Sequence, residues 1–477
     1  MKKNLFIAFM MCALFFVGGT KAVAQEAAGL SEDLLLLANT VVDQNLSDPD
    51  AANKTFTKLY RKIRKNKEQL LAVGKFFKEK NVYACARICA EEAYKLAPQD
   101  IPVLMFNGEI CMMRKDYGAA GQKFDEALFV DSTNIEALRL NARVYKYVNP
   151  HVALEMLERL KRVEPENASA DKEIGDINYN LGESKAAVKA YNGYFKNTKP
   201  VDLDIRSMEN YTIALFSTKG YQKGRDVLKV VMPLTEKNLV FDRMNFFCAY
   251  ENYELPEAAE ALKYLTEKRY ADSLYIYLDY AEAAGFMETQ GDMVAAANFL
   301  AEGLKRDSSK LAGWKKLVEL YQGNKNFTAA IPAYKTFLEL NKANNRATDT
   351  LQLGVIYYNA SQTDSVNKAD HVKNGAEMFA AVEHQAPKSY LGPLWRARIL
   401  NVSNDPLDDV KGAYEVVLQR TEGNEKANAE RVEAFAYLSF YYLKKDNEAE
   451  SLRYAEEVLK IDPNHGMAKQ IKAVLSK

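Results

Sequence analysis

Neither sign of charge is in surplus: 64 Lys and Arg stand against 64 Asp and Glu. That balance argues against a general nucleic-acid binder, whose footprint is a basic excess. Histidine is scarce, with only His151, His371, His384 and His465. None lies in a His-Glu-x-x-His zinc helix, and no Gly-x-Ser-x-Gly elbow or phosphate-cradling Gly loop occurs. His151 and His465 fall in turns after Pro, and His371 and His384 have no conspicuous acid or nucleophile alongside. The sequence therefore points away from catalysis, and it implies no cofactor and no metal. Tryptophan is limited to Trp314 and Trp395, which leaves little surface for stacking sugars.

Long apolar runs are missing except at the start. Lys2 and Lys3 precede the run Leu5–Val17, and Ala22-Val23-Ala24 supplies small residues for cleavage. This is the pattern of a secretory signal peptide over residues 1–25, and the run is too short for a permanent bilayer span. Cys12 sits behind Phe9, Met10 and Met11, unlike the Leu-Ala-Gly-Cys of a lipoprotein signal, so no lipid anchor is expected. The expected mature chain is exported, either free in the periplasm or associated with the outer membrane, and has no transmembrane anchor. Cys85, Cys89, Cys111 and Cys248 remain. They read either as buried thiols or, for Cys89 with Cys111, as a disulfide across a repeat boundary.

What the chain does have is a period. Gly74, Gly108, Ala142 and Gly175 mark one point of a recurring pattern at steps of 34, 34 and 33 residues. Most are followed by a bulky residue three later, Ala twelve later and often an aromatic sixteen later. A fixed period of this length denotes stacked supersecondary units rather than one globular core. The first clear copy runs Leu70, Val73, Gly74, Phe77, Ala86, Ala90, Ala93, Pro98. The second has Gly108, Cys111, Ala120, Phe124 and Ala127. A later copy has Trp314, Leu317, Val318, Tyr321, Ala330, Tyr334 and Phe337, and the last has Phe435, Leu438, Ser439, Tyr442, Ser451, Ala455, Val458 and Pro463.

These landmarks resemble the tetratricopeptide repeat (TPR), a pair of antiparallel helices. The resemblance implies an all-α solenoid, a right-handed superhelix of about eleven helix-turn-helix repeats over residues 67–463. Small residues let the two helices of a unit approach, bulky ones fill the space beside them, and Pro ends the unit. The matches are weak at 205–270 and 390–430. Two helical segments over 26–66 read as an N-terminal cap, and 464–477 as a C-terminal one. In the second of those N-terminal segments, Phe56, Leu59, Tyr60 and Ile63 alternate with Lys58, Arg61, Lys62, Arg64, Lys65 and Lys67. This basic run reads either as a solvated helix face or as a surface for an anionic membrane or acidic partner. After Gly354 the expected Ala arrives only at Ala376, which predicts a polar loop insertion near 361–370.

The resemblance also implies a function class, the holding of protein or peptide segments in an inner groove lined by the first helix of each unit. Projecting the register places Lys75, Lys78, Arg139, Arg143, Lys146 and Lys172 in the N-terminal part of that groove. Leu351, Val355, Tyr358, Phe440 and Leu443 fall in the C-terminal part. A groove basic at one end and apolar-aromatic at the other suits an extended peptide with an acidic segment. Three roles remain open: an envelope scaffold or adaptor, a nutrient- or glycan-binding module, and an accessory factor of outer-membrane assembly or secretion. Asp-Ser/Thr triplets at Ser132, Ser273, Thr350 and Ser365 match an O-glycosylation motif of some exported bacterial proteins, and equally begin helices as caps.

Overall fold

A computed structural model describes residues 30–267, 270–403 and 407–476. The expected signal peptide, with Cys12, lies outside them. The described residues form α-helices, short 3-10 turns and no strand. They divide into two compact units, one ending at Ala261 and the other beginning at Leu262.

The first unit opens with α1 (Glu32–Ser47) and α2 (Pro49–Ile63), followed by α3 (Lys67–Glu79) with α4 (Tyr83–Leu96) and α5 (Ile101–Met113) with α6 (Tyr117–Val130). Next come α7 (Ile135–Tyr145) with α8 (Pro150–Val163), α9 (Ala168–Asn180) with α10 (Ser184–Asn197), and α11 (Ile205–Ser217) with α12 (Tyr221–Val231). The next pair is α13 (Leu239–Glu251) with α14 (Leu255–Thr266). The second unit continues with α15 (Tyr277–Thr289) and α16 (Met293–Arg306), α17 (Leu311–Gly323) and α18 (Phe327–Leu340), and α19 (Ala347–Thr363) and α20 (Lys368–Gln385). It closes with α21 (Leu391–Leu400) and α22 (Asp408–Arg420), α23 (Asn428–Lys444) and α24 (Glu448–Ile461), and a single α25 (Gly466–Leu475). From Lys67 to Ile461 the described residues make eleven helix pairs. Within each unit, extensive packing joins helices that are next or next but one in the chain. That is the contact pattern of a solenoid.

The helices begin and end by local chemistry. Asp or Asn caps recur at the starts: the side chains of Asn66, Asp100, Asp116, Asn134, Asn149 and Asn167 each accept a backbone N–H of the first turn. Several first helices end at a residue in the left-handed region, as at Asn81, Lys115, Lys219 and Tyr253 with φ of 61°, 59°, 61° and 60°. The next N–H then reaches back five residues, as from Glu254 to the Ala249 carbonyl at 2.9 Å.

The period has a steric cause. A Cβ built on Gly74 would stand 2.6 Å from Cε1 of Phe106, and one on Gly175 would stand 2.5 Å from Cδ1 and Cε1 of Tyr191. Phe124 covers Gly108 and Phe379 covers Gly354 in the same way. The aromatic sixteen residues on is the ring lying over the bare backbone of the glycine, as in Gly108 with Phe124 and Gly175 with Tyr191. At Ala142 the second helix starts one residue sooner, so the small residue facing it is Ala153 and the residue four later is the buried Leu157. For Gly74 the ring comes from the next pair.

The loop expected at 361–370 is corrected by the structure. Residues 361–363 finish α19 and 368–370 begin α20, leaving only a turn at 364–367. The surplus residues lengthen both helices, to 17 and 18 residues against 13 and 14 in α17 and α18. The small residue of the second helix is Gly375 rather than Ala376. Its Cβ would meet Tyr357 Cβ at 3.0 Å and collide with Ile399. Gly375 and Phe379 each fall nine positions later than in an ordinary copy, so the pair keeps its interface and grows at the turn end.

All four described cysteines are free thiols, so Cys89 and Cys111 form no disulfide here. Cys89 is fully buried in the core around Phe76 and Phe77, while Cys111 packs at the edge of the next core, around Phe124. Burial pushes the Cys85 thiol up to about 11 and the Cys248 thiol up to about 12.

Two stability outcomes follow. Gly175→Ala drives a methyl into the pinned Tyr191 ring and should cost about 1–3 kcal/mol, whereas Gly412→Ala in α22, with nothing within 4 Å of its Cβ position, should gain up to about 1 kcal/mol of helix propensity. Tyr253→Gly at an exposed left-handed position should stabilise by about 1 kcal/mol. Denaturant unfolding of the three variants checks both; a Gly175→Ala protein as stable as the parent would remove the steric account.

Candidate functional site

In the first unit, α5, α7 and α9 line a concavity of about 960 Å³. Its floor is apolar, with Met112, Leu140, Val144 and Ile177, and its rim carries Met113, Tyr117, Tyr147 and Val148. The rim has a local origin. The turn joining α7 to α8 spans four residues, 146–149, where the neighbouring turns span three and close through a left-handed residue. The longer turn leaves Tyr147 86% and Val148 73% exposed. Asn149 then caps α8, with Pro150 at the first helical position.

Of the cations placed here by sequence, Lys78, Arg139, Arg143 and Lys146 line the concavity, while Lys75 and Lys172 are half-buried outside it. The expected basic groove is instead a ladder of ion pairs. Lys78 Nζ lies 2.5 Å from Glu109 Oε2, Arg139 Nη2 2.5 Å from Glu136 Oε1, and Lys146 Nζ 2.6 Å from Glu173 Oε2. Lys172 is met by Asp176 at 3.2 Å. Arg143 is the exception: it is exposed in the concavity, and no described carboxylate pairs with it. The register had counted the cations of the first helices and passed over the carboxylates Glu109, Glu136 and Glu173 on the same helices. It also missed Tyr147 and Val148, which belong to a turn.

In the second unit, Leu351, Val355 and Tyr358 pack on the core of α15–α21. Tyr358 meets Trp395 edge-on at 5.4 Å, and Trp395 stacks on Phe379 at 6.0 Å. Arg398 lies 4.8 Å over the Trp395 ring and forks onto Glu433 at 2.9 and 2.6 Å. These groups hold successive pairs together. Leu443 packs on the last core, and half-exposed Phe440 lies 5.6 Å from Lys444 Nζ.

The Asp-Ser/Thr triplets divide by setting. Ser132, Ser273 and Ser365 are exposed in turns, whereas Thr350 sits half-buried in α19 and donates to Gln385 at 3.2 Å. Asp131 accepts from the Thr133 N–H and hydroxyl, the arrangement of a capping turn.

His371 does have an acid alongside, contrary to the sequence reading. Its Nε2 lies 3.0 Å from Asp364 Oδ2, and the ring is buried at the start of α20. Asp364 also accepts from the Asn367 side chain and from the backbone N–H groups of Val366 and Asn367. The Asn367 amide first, then His371, holds the Asp364 carboxyl down to about 2. The pair fastens the turn between the two long helices. Among the described residues, no group of three His, Cys, Asp or Glu is placed to hold a metal, and no helix is long and apolar enough to cross a membrane.

No protein-family model matches the chain, and no curated protein does. Solved structures similar to it include the C-terminal part of a TPR repeat-containing protein from Cytophaga hutchinsonii, at 19% identity over 55% of this chain and 98% of that one, with a TM-score of 0.35. Another is a tetratricopeptide repeat protein from Parabacteroides merdae, at 15% identity over 54% and 98%, TM-score 0.33. A third is YrrB, a TPR protein with an unusual peptide-binding site, at 15% identity over 39% and 95%, TM-score 0.34. The repeats are tetratricopeptide-like. Their helix pairs and glycine–ring contacts carry that likeness.

Because the folded-state value of Asp364 is below its ordinary 3.8, its contribution is present above about pH 4 and is lost as pH falls towards 2. Asp364→Asn should melt below the parent at pH 7, with the gap closing between about pH 4 and pH 2. A gap independent of pH, followed by calorimetry, would contradict the charged clasp.

Proposed function

We propose that this chain is a non-catalytic scaffold, exported to the cell envelope, that holds an extended polypeptide segment in the concavity of its first unit. The observation that carries the reading is the pairing of an apolar floor and exposed Tyr147 and Val148 with one uncompensated cation, Arg143. A hydrophobic anchor beside a polar group that fixes orientation is what peptide recognition needs. The paired cations around Arg143 offer a partner donors and acceptors of both signs, so specificity comes from matching a charge pattern rather than from bulk attraction. An acidic residue in the partner is assigned to Arg143, with apolar neighbours on Leu140 and Tyr147. Export rests on the N-terminal residues Lys2–Ala24.

Crosslinking in intact cells from a photoreactive residue at Tyr147 should capture the partner. Arg139→Ala/Arg143→Ala/Lys146→Ala combined with Tyr147→Ala should then weaken its binding at least about tenfold. Undiminished capture by that variant would remove the assignment. N-terminal sequencing of the mature protein, expected to begin near Gln25 or Glu26, tests export separately.

A further inference from the structure

A second surface stands apart from the concavity. Residues 51–67 contain seven Lys or Arg and no Asp or Glu, in a chain whose charges otherwise balance. Elsewhere cations are commonly answered three or four residues away, as in Arg87–Glu91, Lys123–Glu126, Lys305–Glu302 and Arg453–Glu450. On α2 they are not. Lys54, Lys58, Arg61, Lys62 and Lys65 are all exposed, and only Lys62 reaches a described carboxylate, Asp33 at a loose 3.8 Å.

At 100° per residue the four on α2, Lys54, Lys58, Arg61 and Lys62, occupy an arc of about 100°, and Lys65 lies in the turn that follows. The arc lies opposite the buried Ala52, Phe56, Leu59 and Ile63. Cations in the last turn of a helix complement its dipole, which accounts for Arg61 and Lys62 but not for Lys54 and Lys58. At the end of α1, Leu46 is 94% exposed. The Thr55 hydroxyl, donating to Gln44 Oε1 at 2.9 Å, ties that end of α1 to α2.

We propose that the basic face of α2 docks the first unit onto an anionic lipid surface. A discrete acidic ligand is held by groups that converge in a pocket, and this face is a row of long flexible cations on one side of a helix. A plane of anionic headgroups needs only such a row, each cation near the surface adding attraction that salt screens. The concavity of α5, α7 and α9 has no part in the contact, so the two surfaces can be tested apart.

Flotation of the full chain with vesicles of phosphatidylcholine alone, or mixed with phosphatidylglycerol, tests this. The mixed vesicles should bind at least about tenfold more tightly, and raised salt should abolish the difference. Lys54→Gln/Lys58→Gln/Arg61→Gln/Lys62→Gln should lose the preference with unchanged circular dichroism and melting, and Lys54→Arg/Lys58→Arg/Lys62→Arg should keep it. Equal binding to both vesicles, a preference that survives in the glutamine variant, or binding to soluble polyglutamate but not to mixed vesicles would each overturn the proposal.

Discussion

An aromatic ring resting on bare backbone is the contact on which the rest of the array depends. Where Tyr191 covers Gly175 or Phe379 covers Gly354, the ring lies too close to the backbone for any Cβ beneath it. That distance sets how the next pair sits, so a methyl group at one glycine is felt beyond its own unit. The device tolerates variation in the source and kind of side chain: Phe106 reaches Gly74 from the following pair, and in the Ala142 copy the buried Leu157 follows Ala153 where a ring stands in others.

Charge plays two different parts. In the concavity of the first unit, nearly every cation is neutralised by a carboxylate of its own or the next first helix, so Arg143 stands out against a balanced background. Ion pairs at the surface add little stability, about 0–1 kcal/mol each. On α2 there is no such answer from carboxylates, and the field of the unpaired face extends into solvent. A chain with no net charge thus carries one strongly directional electrostatic surface.

The fold was legible because glycine, alanine and ring spacing report a steric necessity that survives wherever helices touch closely. It faded at 205–270 for a physical reason. There Ser207, Asn210 and Thr212 are buried in α11, with Ser207 donating to Asp176 at 2.9 Å beside Tyr191 at 2.7 Å. Arg225 is buried against Glu254 at 2.9 Å. Hydrogen bonds replace the apolar landmarks, and a pattern of small and bulky residues cannot register them. The candidate site was half legible. Helical register found Arg139, Arg143 and Lys146, but Tyr147 and Val148 owe their exposure to the early end of α7 at Tyr145. The basic end vanished because register alone does not say which cation a carboxylate will reach. At the other end, Val355 and Tyr358 are taken up in packing with Trp395, since an apolar side chain on an inner face serves the neighbouring pair as readily as a ligand.

The lengthened pair α19–α20 has one more consequence. Its extra residues fall beyond the glycine–ring contact, about four per helix, so its turn projects roughly 6 Å past those of its neighbours while the Asp364–His371 clasp holds the tip together. A strictly periodic surface offers every partner the same step over and over, and nothing in it says where to begin. One pair standing proud ends that equivalence. It gives the second unit an origin from which position along the array can be measured.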